Sequence, residues 1–265
     1  MNTARSPENR LLHFDLSSGV AGDMLLGALI DLGCPVEVIN NSLARLGISG
    51  LRVESAKIVR RGFSTQALTV HAPEGERLRH FHEVEGRIRT ASFSTWVAER
   101  SLCAFRMIAS AEAKIHNSTV EKVHFHEIGS LDTVADVVGV MSAVEYFGVR
   151  EFSATPIAVG SGVVKIAHGA VNVPAPATAE ILRGLPIDMT PLEGERTTPT
   201  GAAIIATLVP PESFTGTRGP GAIGCLVGAG YGAGTADFTD RVNMVRVLLI
   251  DLIDETPLVG PALSG

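Results

Sequence analysis

The stretch VHFHEIGSLDTVAD, from Val123 to Asp136, brings together His124, His126, Glu127, Asp132 and Asp136. The chain has only 8 histidines and is otherwise rich in small and apolar residues. Two imidazoles beside three carboxylates suggest metal ligation or proton transfer. If residues 122–127 are extended, alternation sends His124 and His126 to the same side. Two imidazoles on one side begin a divalent-metal site. Asp132 and Asp136 stand four apart on a helix expected over 131–147, so they share a face. Its apolar stripe, Leu131, Val134, Val138, Met141 and Val144, lies mostly elsewhere. Glu127 and Asp132 fall near the helix start, where the dipole favours anions. Capping and mutual pairing would account for the same residues without a ligand, and the spacing is not a standard zinc signature.

Three further clusters carry chemistry. HFDLSSGVAGDM (13–24) reads as a strand end, a turn at Gly19 and a helix start with Gly22 and Asp23. Asp15 would point to the ligand edge of an open α/β sheet. Ser18, Gly19, Gly22 and Asp23 would line an anion subsite at the helix start. Alternatively, Ser17 or Ser18 is only a helix cap and Asp23 a first-turn acid. KIAHGAVNVPAPATAEIL (165–182) offers His168 as a third imidazole ligand or a general acid/base, or as a structural histidine. ERTTPTGAAII (195–205) places Thr197, Thr198, Thr200 and Gly201 at another helix start, suited to an oxyanion or to capping. No GxGxxG or Walker lysine is present.

The elements that must position these groups follow from periodicity. Strands are expected at 11–16, 51–59, 63–72, 151–159, 162–167, 221–229 and 242–251. Helices are expected at 20–32, 35–47, 80–90, 94–115, 131–147, 175–183 and 198–208. The RRG at 60–62 joins two strands as a hairpin. GAGYGAGTADF (228–238) reads as a flexible glycine loop or turn. The fold expected is α/β, a mixed β-sheet with helices on its faces, one intruding hairpin and a helical subdomain. Residues 1–10 read as a disordered N-terminus, 11–252 as the α/β domain with 50–120 a possible inserted subdomain, and 253–265 as a flexible tail.

Composition narrows the function classes. The 265 residues are 45% hydrophobic and 19% charged, a globular balance. The net charge of −6 argues against a phosphate-gripping nucleic-acid face. The longest apolar stretch, GVAGDMLLGALIDLG, is interrupted by Asp23 and Asp31 and is too short to span a bilayer. Cys34, Cys103 and Cys225 are odd in number and scattered, so reduced thiols and a cytoplasmic protein are expected.

In order, the motifs FDLSSGVAGDMLLGALIDLG, VHFHEIGSLDTVADVVG, AVGSGVVKIAHGAVNVPAPATAEIL, TPTGAA, GYGAGTADF and RVNMVRVLL run from about residue 11 to 250. Together they resemble the nickel insertion protein family of nickel-pincer cofactor biosynthesis, LarC. The resemblance implies a cyclometallase of the lyase class. It would insert nickel into pyridinium-3,5-bisthiocarboxylic acid mononucleotide, forming one Ni–C and two Ni–S bonds, for lactate racemase-type enzymes. It further implies CTP with Mn²⁺ or Mg²⁺ and a C-terminal nucleotide-binding portion beyond RVNMVRVLL, which this chain lacks. A separate C-terminal chain and a racemase-type apoenzyme are the implied partners, and a homo-oligomer is possible.

On this reading His124, His126, Asp132, Asp136 and His168 are the metal ligands. Asp15, Ser18, Gly19, Gly22, Asp23, Thr198, Thr200 and Gly201 bind the precursor. Loss of the ring proton needs a base, for which His126, Glu127 and His168 are the candidates. Two other classes fit: a nickel-binding scaffold inert without a partner chain, and a metal-dependent small-molecule hydrolase using Asp15, Asp23 and His126.

Overall fold

The computed structural model describes residues 9–75, 78, 80–123, 130–166, 169–215 and 223–253. Six strands form the main sheet: β1 (Arg10–Asp15), β2 (Arg52–Arg60), β3 (Phe63–His71), β4 (Glu151–Ala154), β11 (Gly224–Ala233) and β12 (Met244–Leu252). Their order is β2-β3-β11-β12-β1-β4. β1 runs parallel to β4 and antiparallel to β12, and β11 is antiparallel to β12 and parallel to β3. The sheet is therefore mixed, as expected. Short strands β5 (Ile157–Ala158), β6 (Gly160–Ser161), β7 (Val163–Ile166), β8 (Gly169–Asn172), β9 (Ile187–Asp188) and β10 (Gly194–Glu195) form three small two-stranded sheets beside it.

Seven helices complete the described fold: α1 (Gly22–Asp31), α2 (Val36–Ala44), α3 (Phe81–Thr90), α4 (Thr95–Ile115), α5 (Leu131–Phe147), α6 (Pro176–Ile181) and α7 (Pro199–Leu208). Local signals account for many of their ends. Ser130 accepts a hydrogen bond from the Thr133 N–H at the start of α5, and Gly148 closes it in the left-handed region at φ 68°. Ser94 caps α4 through the Val97 N–H. The hairpin β2–β3 turns on Arg61 and Gly62, at φ 47° and 86°, the positive pair a two-residue turn requires.

One core cluster runs from Leu12 to Leu249. It includes Phe81, Val84 and Ile88 of α3 and Phe105 and Ile108 of α4, so the 50–120 stretch contributes to the same core as the rest. Phe105 is fully buried, and its truncation to alanine would cost about 3–5 kcal/mol.

Two expectations change. The glycine run at 228–233 is not a loop; it is the second half of β11. Alternation turns Gly230 and Gly232 toward α1, where a Cβ would overlap the carbonyl oxygens of Ala28 and Met24. The glycines are there so that helix backbone can lie directly on strand backbone. Second, neither Ser17 nor Ser18 caps α1. The cap position is Ala21, with no side-chain bond, because the turn before it is committed elsewhere.

The two faces of the sheet differ. Leu12, Phe14, Val245 and Val247 are fully buried on the helix side. The opposite side carries His13, Asp15, Tyr231, Arg246 and Leu248, none of them fully buried.

Candidate functional site

The loop from Leu16 to Ala21 leaves the carboxyl end of β1 and enters α1. It is tightly held. Thr155 Oγ1 accepts the Leu16 N–H at 2.8 Å, the Val20 N–H donates to the Arg196 carbonyl at 2.9 Å, and the Thr198 N–H donates to the Val20 carbonyl at 3.0 Å. Gly19, at φ 93°, lies so close to the Arg196 backbone that any Cβ would collide.

Arg196 is the anchor of this collar. Its side chain is 0% exposed. It pairs with Asp240, donates to the Glu193 carbonyl at 2.8 Å and lies over the Phe238 ring at 3.7 Å from the centroid. Burial lowers its pKa, and Asp240 opposes that shift. Arg241 next to it donates to the Ser17 carbonyl. The sequence reading missed Arg196, since nothing local distinguishes it from a surface arginine.

Two groups of functional side chains lie at the two ends of this loop. At the α1 end, Gly22 opens the helix directly against Asp136 of α5; a Cβ on Gly22 would be 2.5 Å from Asp136 Oδ2. Asp136 Oδ1 is shut from solvent and has no hydrogen-bond partner among the described residues. Burial, then the charges of Asp23 and Asp132, push its pKa well above the usual carboxylate value. Burial also raises Asp23, against the opposing Met24 N–H bond at 2.8 Å. Asp132 is exposed. None of the three makes an ion pair among the described residues. Asp132 and Asp136 lie on one face of α5, close enough for the charge of Asp132 to act on Asp136; because α5 is apolar nearly all round, Asp136 is drawn inward while Asp132 stays exposed.

Thr198 and Gly201 behave as a cap. Thr198 Oγ1 accepts the Gly201 N–H at 3.2 Å, Thr200 is buried, and Gly201 faces the Val20–Ala21 backbone. The start of α7 is thus covered by the chain's own loop. His124, His126, Glu127 and His168 lie outside the described residues. Among the described residues no three His, Cys, Asp or Glu side chains are grouped to hold a metal ion.

At the β1 end, Asp15 accepts both the Ser17 N–H at 3.2 Å and the Ser17 hydroxyl at 2.7 Å, and pairs with Arg246 at 2.6 Å. Burial would raise its pKa, but these bonds outweigh it and the carboxyl is held below its usual value. Asp15 and Ser18 line a cleft of about 460 Å³ with Phe63, Ser64, Tyr231 and Arg246. A larger groove, about 630 Å³, lies between α4, α6 and α7 and holds none of the candidate residues. Arg246 and Tyr231 went unnoticed in the sequence because their link to Asp15 is cross-strand: Asp15 faces Arg246, and Arg246 faces Tyr231.

A family model described as nickel insertion protein matches residues 12–260. The chain belongs to the nickel insertion protein family. A putative nickel insertion protein of Geobacter sp. strain M21 is 41% identical over 245 residues, covering 91% of this chain and 61% of the relative. One from Rhodopirellula baltica is 39% identical over 256 residues, covering 95% and 62%. The pyridinium-3,5-bisthiocarboxylic acid mononucleotide nickel insertion protein of Staphylococcus saprophyticus is 37% identical over 246 residues, covering 93% and 61%. The chain therefore spans about three fifths of the length of these relatives. No solved structure matches it. Among the described residues no helix is long and apolar enough to cross a membrane.

Proposed function

We propose that this chain carries the nickel-handling part of a nickel-inserting enzyme whose substrate is pyridinium-3,5-bisthiocarboxylic acid mononucleotide. The observation that supports it most is the set Asp23, Asp132 and Asp136 at the starts of α1 and α5, without a cationic partner among the described residues. By themselves these acids are not grouped to hold a metal ion; an imidazole from the neighbouring residues would complete the donor set. Residues 124–129 lead directly into α5, so His124 and His126 are adjacent in sequence to these acids, and His168 is the third imidazole candidate. Imidazole with carboxylate holds Ni²⁺ less firmly than thiolate sulfur does. A donor of that kind can release the ion to the two thiocarboxylate sulfurs of the precursor. The proton lost from the ring carbon goes to a base, with His126, Glu127 and His168 as candidates.

CTP with Mn²⁺ or Mg²⁺ belongs to the same proposal, as does the acceptor racemase-type enzyme. The acids at the starts of α1 and α5 would repel a triphosphate, and the start of α7 is covered. The CTP site is therefore placed, as part of the proposal, in the portion of the relatives' length that this chain does not span. A cytoplasmic location completes the reading. The test is nickel binding by equilibrium dialysis after replacing His124 and His126 with alanine. Affinity should fall at least tenfold; unchanged stoichiometry and affinity would remove both as ligands.

A further inference from the structure

The cleft on the open side of the sheet has a lining of mixed aromatic, cationic and hydroxyl groups. Phe63 is 53% exposed at the hairpin tip, and the Arg246 side chain is 44% exposed. A surface-exposed aromatic and a half-exposed arginine, joined by Tyr231, line one concavity of about 460 Å³. That volume lies within the range of small-molecule sites, roughly 300–1,000 Å³. Arg246 has Asp15 as its one polar partner among the described residues, through a single terminal nitrogen. The rest of its planar fork remains available, and such a fork binds carboxylate or phosphate in two-point fashion. The Ser18 and Ser64 hydroxyls line the same cleft and make no hydrogen bond among the described residues. Met244 adds an apolar floor.

Asp15 explains why the arginine stays in place. It is itself fixed by both Ser17 bonds, so it holds Arg246 at the cleft edge without neutralising the whole guanidinium. Aromatic faces, one oriented cation and free hydroxyls make a seat for a flat ring bearing anionic groups.

We infer that this cleft binds the pyridinium mononucleotide: ring against Phe63 and Tyr231, an acidic substituent on Arg246, and further oxygens on Ser18 and Ser64. The inference rests on the nickel-insertion reading for the identity of the ligand. The loop from Ser17 to Ala21 then links ring and metal, since one end lines the cleft and the other opens α1 against Asp136.

The probe is nicotinic acid mononucleotide, titrated calorimetrically into the full chain. Saturable binding is expected, weakened at least tenfold by Arg246→Met and at least threefold by Phe63→Ser. Phe63 lies at an exposed hairpin position, so its replacement leaves the fold intact even if Arg246→Met disturbs β12. Binding that is absent, or that survives both substitutions, overturns the inference. Nickel dialysis on the same samples separates the two levels. Normal nickel binding beside absent probe binding strikes the cleft alone, whereas a wild-type chain that binds the probe but no nickel strikes the nickel-insertion reading and leaves the cleft standing.

Discussion

Asp15 and Asp136 sit at opposite ends of one loop and have opposite electrostatic fates. Asp15 receives two bonds from Ser17 and one from Arg246, and its pKa is lowered. Asp136 has an oxygen with no partner among the described residues and two acidic neighbours, and its pKa is raised. The first is spent on holding structure. The second is maintained at a cost to the fold, and a carboxylate so perturbed is a candidate for function. The difference teaches that neighbours as well as burial set a carboxylate's pKa: the Ser17 and Arg246 bonds lower that of Asp15, and the charges of Asp23 and Asp132 raise that of Asp136.

The largest expected effect removes the frame that both aspartates share. Arg196→Ala takes away a buried guanidinium that pins the collar around the loop. It should cost about 3–5 kcal/mol, read by denaturant unfolding; a loss under about 1 kcal/mol would mean that the loop is held without it.

Next, Asp15→Asn should destabilise by about 1.5–3 kcal/mol, the worth of hydrogen bonds to a charged group. Its folded pKa lies below the unfolded value, so its contribution is present above the unfolded pKa and disappears as the pH falls through the folded one. The acid limb of a stability–pH curve should therefore flatten in Asp15→Asn. An acid limb parallel to that of the wild type would contradict the assignment.

Asp136→Asn should do the reverse. Here the folded pKa is raised, so the native state holds a proton that the unfolded chain has already lost. Stability is full below the unfolded pKa and declines as the pH rises through the folded one. The asparagine variant lacks that decline. It should be more stable than the wild type at neutral pH in metal-free buffer, by about 1 kcal/mol, or about 2–4 °C in melting temperature. A less stable variant would show that the carboxylate has a partner after all.

Gly22→Ala probes the same carboxylate from the α1 side. The added methyl must push Asp136 aside, and stability should fall by about 1–2 kcal/mol while the Asp15 limb of the pH curve is unaltered. A shift in both limbs would mean that the two ends of the loop are one coupled unit.

Local signals made much of the scaffold legible. Ser130 and Gly148 bracket α5 because a hydroxyl cap and a left-handed glycine act within a few residues. The RRG hairpin was readable for the same reason. The glycine-rich second half of β11 was not, because its glycines answer to α1, some two hundred residues away in sequence. The same holds for Arg246 and Tyr231, which meet Asp15 only once β1, β12 and β11 are side by side. Asp132 and Asp136 were picked out by spacing. Their unequal burial was hidden, since it depends on what packs against α5.

The most direct test of the central claim is a crystal of the chain soaked in nickel, with anomalous scattering recorded at the nickel edge. A peak within coordination distance of Asp136 or Asp132, shared with an imidazole from residues 124–129 or with His168, is the result expected. A peak elsewhere, with Asp136 still unpartnered, would contradict the account.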